Sequence, residues 1–305
     1  MNESTIDVDG VGVAITDEGP RDARPIVMLH GGSRTLADWL FVAPALAERN
    51  RVVRVDFRGH GKSDVVPSFD WGDGVADCAG IVDALDLRDA VIVGHSLGGM
   101  TAIRYAAEGH RCAGVVNVDG FGTGHPSEFP GYSEAEAREK LEGFAAMSEK
   151  EFLDPQDTGD ESWMDAAVAQ YRAGVEAMGL RWVTAEPLVR RGYRQLDDGR
   201  WQTSPSGAIN ASMYRSLFMA DHWAYYDKVS VPTLVIRSTN DDHGMDDPET
   251  VRFLEAMRVG LDTLLAEQTA RRPDFAVEHY ETGHMVMWEK PAELTHSIQH
   301  FVDSL

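Results

Sequence analysis

The stretch Val91-Ile92-Val93-Gly94-His95-Ser96-Leu97-Gly98-Gly99 constrains this chain more than any other. Its β-branched start reads as a short buried strand. Gly94-x-Ser96-x-Gly98 follows without a spacer. Met100, Ile103, Tyr105 and Ala106 then recur at helical spacing, and Gly109 stands where a helix C-cap belongs. Ser96 is thus predicted at a strand-to-helix turn. Such a turn is sharp and closely packed, which calls for the flanking glycines. It pushes the serine into a strained conformation with its hydroxyl exposed. The helix that starts there adds unpaired N–H groups and the positive end of its dipole. A nucleophile beside an anion-stabilising site is the chemistry this geometry offers.

The flanking sequence repeats the same rhythm. Asp9-Gly10 between two short alternating runs predicts a hairpin. Buried-type strands are predicted at Pro25–Leu29, Arg51–Val55 and Ala113–Asp119, and again at Pro232–Arg237 and Phe275–Tyr280. Helical patterns separate most of them, including Trp71–Leu87 and a helix capped by Asp247 and opened by Pro248. The last helix is opened by Pro291 and keeps Leu294, Ile298, Phe301 and Val302 on one face. Strands alternating with helices predict an α/β fold, a doubly wound, mostly parallel sheet.

The rhythm stops between residues 120 and 228. Acidic helix-forming sequence fills that span, and it ends in a cluster that includes Met213, Tyr214, Phe218, Met219, Trp223, Tyr225 and Tyr226. It is expected to be an inserted helical lid over the carboxyl edge of the sheet. Residues 1–119 and 229–305 would form the core.

Strand ends carry His30-Gly31-Gly32, Ser96, Asp241 and His284. In an open parallel sheet these ends share one edge, where ligands bind. A serine needs an adjacent base, histidine suits that task near neutral pH, and a carboxylate fixes the histidine tautomer.

Taken with the motifs His30-Gly31-Gly32-Ser33, Asp56-x-Arg58-Gly59-x-Gly61-x-Ser63, Gly94 to Gly99 and Gly283-His284, the chain resembles the α/β-hydrolase superfamily over nearly its whole length. The resemblance implies Ser96 as nucleophile, His284 as base and Asp241 as acid. It also implies the Gly32 and Leu97 N–H groups as oxyanion donors, with Ser33 beside them. Ser33, Met219, Trp223 and Met285 are the candidate substrate-binding residues. Ser238 stands where the family usually has the Gly of Gly-x-x-Asp, so Asp242 is a rival acid. Some members carry the acid one strand earlier, which keeps Asp119 as a candidate. A serine nucleophile argues against the dehalogenase and epoxide-hydrolase branches, which use a carboxylate. Hydrolysis of an ester or lactone of a small, largely apolar substrate is the expected activity. A C–C hydrolase or thioesterase on the same residues is the alternative, and a non-catalytic binding protein the alternative of another class. No cofactor or metal is expected.

A net charge of −22 argues against nucleic acid or an anionic membrane as partner. The expected partner is a small-molecule substrate, with a homodimer left open. Residues 1–20 lack a basic, apolar leader pattern, and no apolar run approaches the length of a membrane span. A cytoplasmic location is the expectation.

Overall fold

The computed structural model describes residues 3–123, 125–153, 157–177, 179, 181–218, 220–240 and 247–305. Eight strands form the main sheet: β1 (Glu3–Val8), β2 (Val11–Glu18), β3 (Pro25–Leu29), β4 (Arg51–Val55), β5 (Val91–His95), β6 (Gly114–Val118), β10 (Thr233–Ser238) and β11 (Phe275–Tyr280). Between β6 and β10 lie the short strands β7 (Thr158–Gly159), β8 (Tyr193–Gln195) and β9 (Trp201–Thr203). The main sheet has the order β1-β2-β4-β3-β5-β6-β10-β11. The β1–β2 hairpin is antiparallel and joins β4 antiparallel, while every pairing from β4 to β11 is parallel. Asp9 (φ 54°) and Gly10 (φ 82°) make the hairpin turn, where two consecutive left-handed residues match the strand twist.

Side-chain alternation along the strands divides the interior in two. Val27, Leu29, Val53, Val55 and Ile92 face one apolar cluster, with the helices Trp71–Ala84 and Leu97–Ala107. Ile26, Met28, Val52, Val91 and Val93 face the other, with the C-terminal helix Pro291–Ser304. The central strands are therefore apolar on both faces, as a doubly covered parallel sheet requires.

The span between β6 and β10 is not helical throughout. Helices Glu134–Phe152, Glu161–Ala177, Trp182–Arg190 and Gly207–Phe218 are joined there by the small antiparallel sheet β7-β9-β8. Its strands have two or three residues and are at most half-buried, so they carry no buried-strand signal. The helix-forming sequence around residues 161–190 makes two helices, Glu161–Ala177 and Trp182–Arg190.

This cap segment is bolted to the core through the Asp56–Asp64 loop. Asp56 is fully buried. Its carboxylate accepts the N–H groups of Leu36 (2.7 Å) and Lys62 (2.9 Å) and two guanidinium bonds from Arg191 (2.6 and 2.9 Å). Arg194 donates to the carbonyls of Gly61 and Ser63, and the hydroxyls of Ser212 and Ser216 accept the N–H groups of Phe69 and Trp71. No helix among the described residues is long and apolar enough to cross a membrane.

Candidate active site

Ser96 links β5 to the helix Leu97–Ala107 at φ 50°, ψ −116°, a strained conformation for a residue with a side chain. Its N–H donates to the Val118 carbonyl (2.9 Å), and its carbonyl accepts the N–H of Met100 (3.0 Å). The turn closes only with glycines around it. A Cβ at Gly94 would stand 2.0 Å from the Gly98 carbonyl oxygen, and one at Gly98 would stand 2.3 Å from that of Leu29. Leu97 is the first residue of the helix, so its N–H has no acceptor within the helix.

The loop after β3 runs directly over this serine. A Cβ at Gly31 would lie 3.3 Å from Ser96 Cβ and 2.8 Å from His95 Nδ1. His30 braces the loop: its Nδ1–H donates to the Gly31 carbonyl (2.7 Å), and its Nε2 accepts the N–H of Phe57 (3.0 Å). Burial pushes His30 down to about 3, so the ring is neutral. Gly32 faces the cap, where its Cβ would meet Met213 Cε at 2.9 Å and Tyr214 Oη at 3.4 Å. The expected oxyanion residues Gly32 and Leu97 thus belong to the two segments that meet at Ser96.

His284 lies in the loop after β11 with about half its side chain exposed. Its Nδ1–H donates to Asp119 Oδ2 at 2.7 Å, which leaves the Nε2 lone pair to take a proton. Among the described residues, the carboxylate bonded to the histidine is therefore that of Asp119. Asp241 and Asp242 lie outside the described residues. The physical reason is strand adjacency. β6 neighbours β5 on one side and β10 on the other, and Asp119 is its first residue beyond the ladder. There it adopts φ 52° and donates its N–H to the Ile236 carbonyl (2.8 Å). Asp119 Oδ1 accepts the Ser238 N–H (2.9 Å), and Oδ2 also accepts the Ser238 hydroxyl (2.6 Å). Burial alone would raise this carboxyl. The hydrogen bonds from His284 and Ser238 outweigh it and hold Asp119 below its ordinary value.

His95 ties these segments together. Its Nε2–H donates to the His284 carbonyl (2.9 Å), and the two rings lie 4.5 Å apart. Burial, followed by the nearby His284, drives His95 well below the ordinary histidine value.

A cavity of about 460 Å³ opens between core and cap. Ser33 and Arg34, next to Gly32, line it on one side, and Trp288, four residues past His284, on another. The cap contributes Phe152, Tyr171, Tyr193 and Asn210. Ser33 is committed to the cap, since its hydroxyl donates to Asn210 Oδ1 (2.7 Å). Arg34 sits over the Trp288 ring and is held in a forked pair by Asp38 (2.6–3.1 Å). Trp223 is not at the cavity. It is 5% exposed, stacks on Tyr226 (4.4 Å) and belongs to the core cluster that includes Phe275. Met285 is half-buried against the other core cluster. Met219 lies outside the described residues. Asp38, Asn210, Tyr171, Tyr193 and Trp288 carry no motif in the sequence, and the sequence assigns Ser238 no role at the acid. A serine in the place of a family glycine, as at position 238, was the one available signal.

The model of the alpha/beta hydrolase family matches residues 26–296. The chain belongs to this hydrolase family. A non-heme chloroperoxidase of Burkholderia pyrrocinia is 41% identical over 110 residues, covering 35% of this chain and 40% of that protein. A bifunctional esterase/perhydrolase of Acinetobacter calcoaceticus is 41% identical over 104 residues, covering 32% of this chain and 37% of that protein. The chain thus spans well under half the length of these curated relatives. Among solved structures, an E-2-(acetamidomethylene)succinate hydrolase superposes with TM-score 0.72 at 22% identity over 99% of both chains, a likeness of fold.

Proposed function

We propose that the chain hydrolyses a carboxylic ester or lactone through an acyl-enzyme at Ser96. The observation that carries this reading is the 2.7 Å bond from His284 Nδ1 to Asp119, on a loop tied by its carbonyl to His95, the residue before a serine held at φ 50°. His284 Nε2 takes the Ser96 proton as Oγ attacks the carbonyl carbon. The N–H groups of Gly32 and Leu97 receive the negative charge that forms on the carbonyl oxygen. Asp119 keeps the imidazole in the required tautomer and stabilises the imidazolium. His284 then protonates the departing alkoxide, and a water activated by the same nitrogen releases the acid.

The remote part of the substrate fits the cavity beside Ser33. Phe152, Tyr171, Tyr193 and Trp288 suit a ring or short apolar chain, and Asn210 and Thr203 offer hydrogen bonds. The one guanidinium among its described lining residues is neutralised by Asp38, while Glu151 and Asp157 add negative charge. An uncharged substrate is therefore favoured over a carboxylate.

The test combines a fluorophosphonate probe with a panel of p-nitrophenyl esters and lactones. The probe should label Ser96, and Ser96→Ala should lose turnover by about 10⁶-fold. Turnover that survives in Ser96→Ala, or a label on another serine, overturns the reading.

A further inference from the structure

We propose that Ser238 is a positioning residue that acts on the reaction through Asp119; this rests on the acyl-enzyme reading above. Ser238 is the last residue of β10 and is 3% exposed. It spends two donors on one carboxylate: its N–H reaches Oδ1 (2.9 Å) and its hydroxyl reaches Oδ2 (2.6 Å). Oδ2 is also the atom that accepts His284 Nδ1–H (2.7 Å).

The backbone donor would be present with any residue at this position. The hydroxyl would not, and a glycine there leaves the second donor out. A carboxylate bonded at one oxygen by Ser238 N–H and at the other by His284 alone can rotate about its Cβ–Cγ bond. The hydroxyl on Oδ2 adds the third point that fixes the carboxylate plane against the imidazole. Asp119 needs that constraint, because it sits just past the end of β6 at φ 52°. The neighbouring guanidinium of Arg237 stands 3.6 Å from Oδ1, so it adds charge on the far oxygen but does not set the geometry at Oδ2.

The hydroxyl also draws negative charge away from the oxygen facing the histidine. Without it, Oδ2 bears more charge, the imidazolium of His284 gains stabilisation, and His284 Nε2 holds its proton up to a higher pH. Loss of Ser238 Oγ therefore has two signatures: a slower reaction from looser geometry, and an acid limb displaced upward.

The experiment follows inactivation of Ser96 by a fluorophosphonate from pH 5 to 9, which needs no knowledge of the natural substrate. Ser238→Ala and Ser238→Gly should slow inactivation about tenfold and move the acid limb up by about half a pH unit. Ser238→Thr, which keeps the hydroxyl, should stay within about twofold of the parent. In an Asp119→Asn background, Ser238→Ala should cost less than about twofold more, because the pair acts as one unit. An unchanged rate and limb in both Ser238→Ala and Ser238→Gly overturns the proposal. So does a slowed rate with an unmoved limb that Ser238→Thr fails to restore, since that describes a packing role. If the parent protein itself is not labelled at Ser96, the hydrolase reading fails, an outcome separate from these.

Discussion

Acid should cost this protein half of its stability or more by pH 5, and four buried histidines carry that loss. His30, His60, His95 and His222 are each at most 3% exposed. Each uses one ring N–H to reach a carbonyl: Gly31, Arg58, His284 and Leu217 respectively. Among the described residues the other nitrogen of His60, His95 and His222 has no partner, and that of His30 accepts the Phe57 N–H. A second ring proton would thus meet either no acceptor or another donor. Burial accordingly pushes His30 and His60 down to about 3 and His222 to about 4, with His95 far down as well. The folded values lie below the unfolded one of about 6.5. The stability these rings contribute is therefore complete above that pH and is lost as pH falls toward the folded values. At pH 5 the unfolded chain gains about 2 kcal/mol per histidine relative to pH 7, or about 8 kcal/mol for four. Buried Asp77, whose carboxyl is raised by burial, works in the opposite direction by one group. Whole-domain stabilities are about 5–15 kcal/mol, so this loss takes half of the margin or more. Urea melts at pH 7.5, 6.5, 5.5 and 5.0 measure this directly. The slope should approach four protons taken up on unfolding. Stability that is flat within about 1 kcal/mol from pH 7.5 to 5.0 would refute the reasoning, because these rings would then have to be solvated or charged in the fold.

Three further substitutions address the site. Asp119→Asn should lower kcat by about 10⁴-fold with the fold intact, while Asp241→Asn should change it less than about threefold; kcat on p-nitrophenyl acetate and a thermal melt separate the two effects. Asp38→Asn should release Arg34 into the cavity and shift preference toward carboxylate-bearing esters by about tenfold, read as a ratio of kcat/KM values for a neutral and an anionic ester of equal size.

The sheet was legible because its signal is local. Val91–Val93, Val115–Val116 and Leu234–Ile236 are buried on both faces, so the sequence shows them as unbroken apolar runs. Ser96 was legible for a similar reason: its turn needs particular glycines at fixed offsets. The partner of His284 was not, because it depends on which strand end lies within reach of the imidazole. Asp119 follows one of several strands of the same sheet, and the placement of β6 between β5 and β10 brings it to the histidine. The cap misled for the opposite reason. Trp223 has the composition expected of a pocket, yet it stacks on Tyr226, whose hydroxyl is bonded to buried Asn117 beneath the turn at Gly120. Large apolar side chains serve core and cavity alike, and sequence does not distinguish the two uses.

The bolt between Arg191 and Asp56 sets a cost on raising that edge of the cap. Lifting the helix Trp182–Arg190 off the core would strand a fully buried carboxylate without the guanidinium bonded to it. Removing one partner of such a pair costs about 3–5 kcal/mol, which leaves between about one molecule in 200 and one in 5,000 with that edge raised at any instant. A substrate whose entry needs that edge raised would meet few molecules ready to admit it.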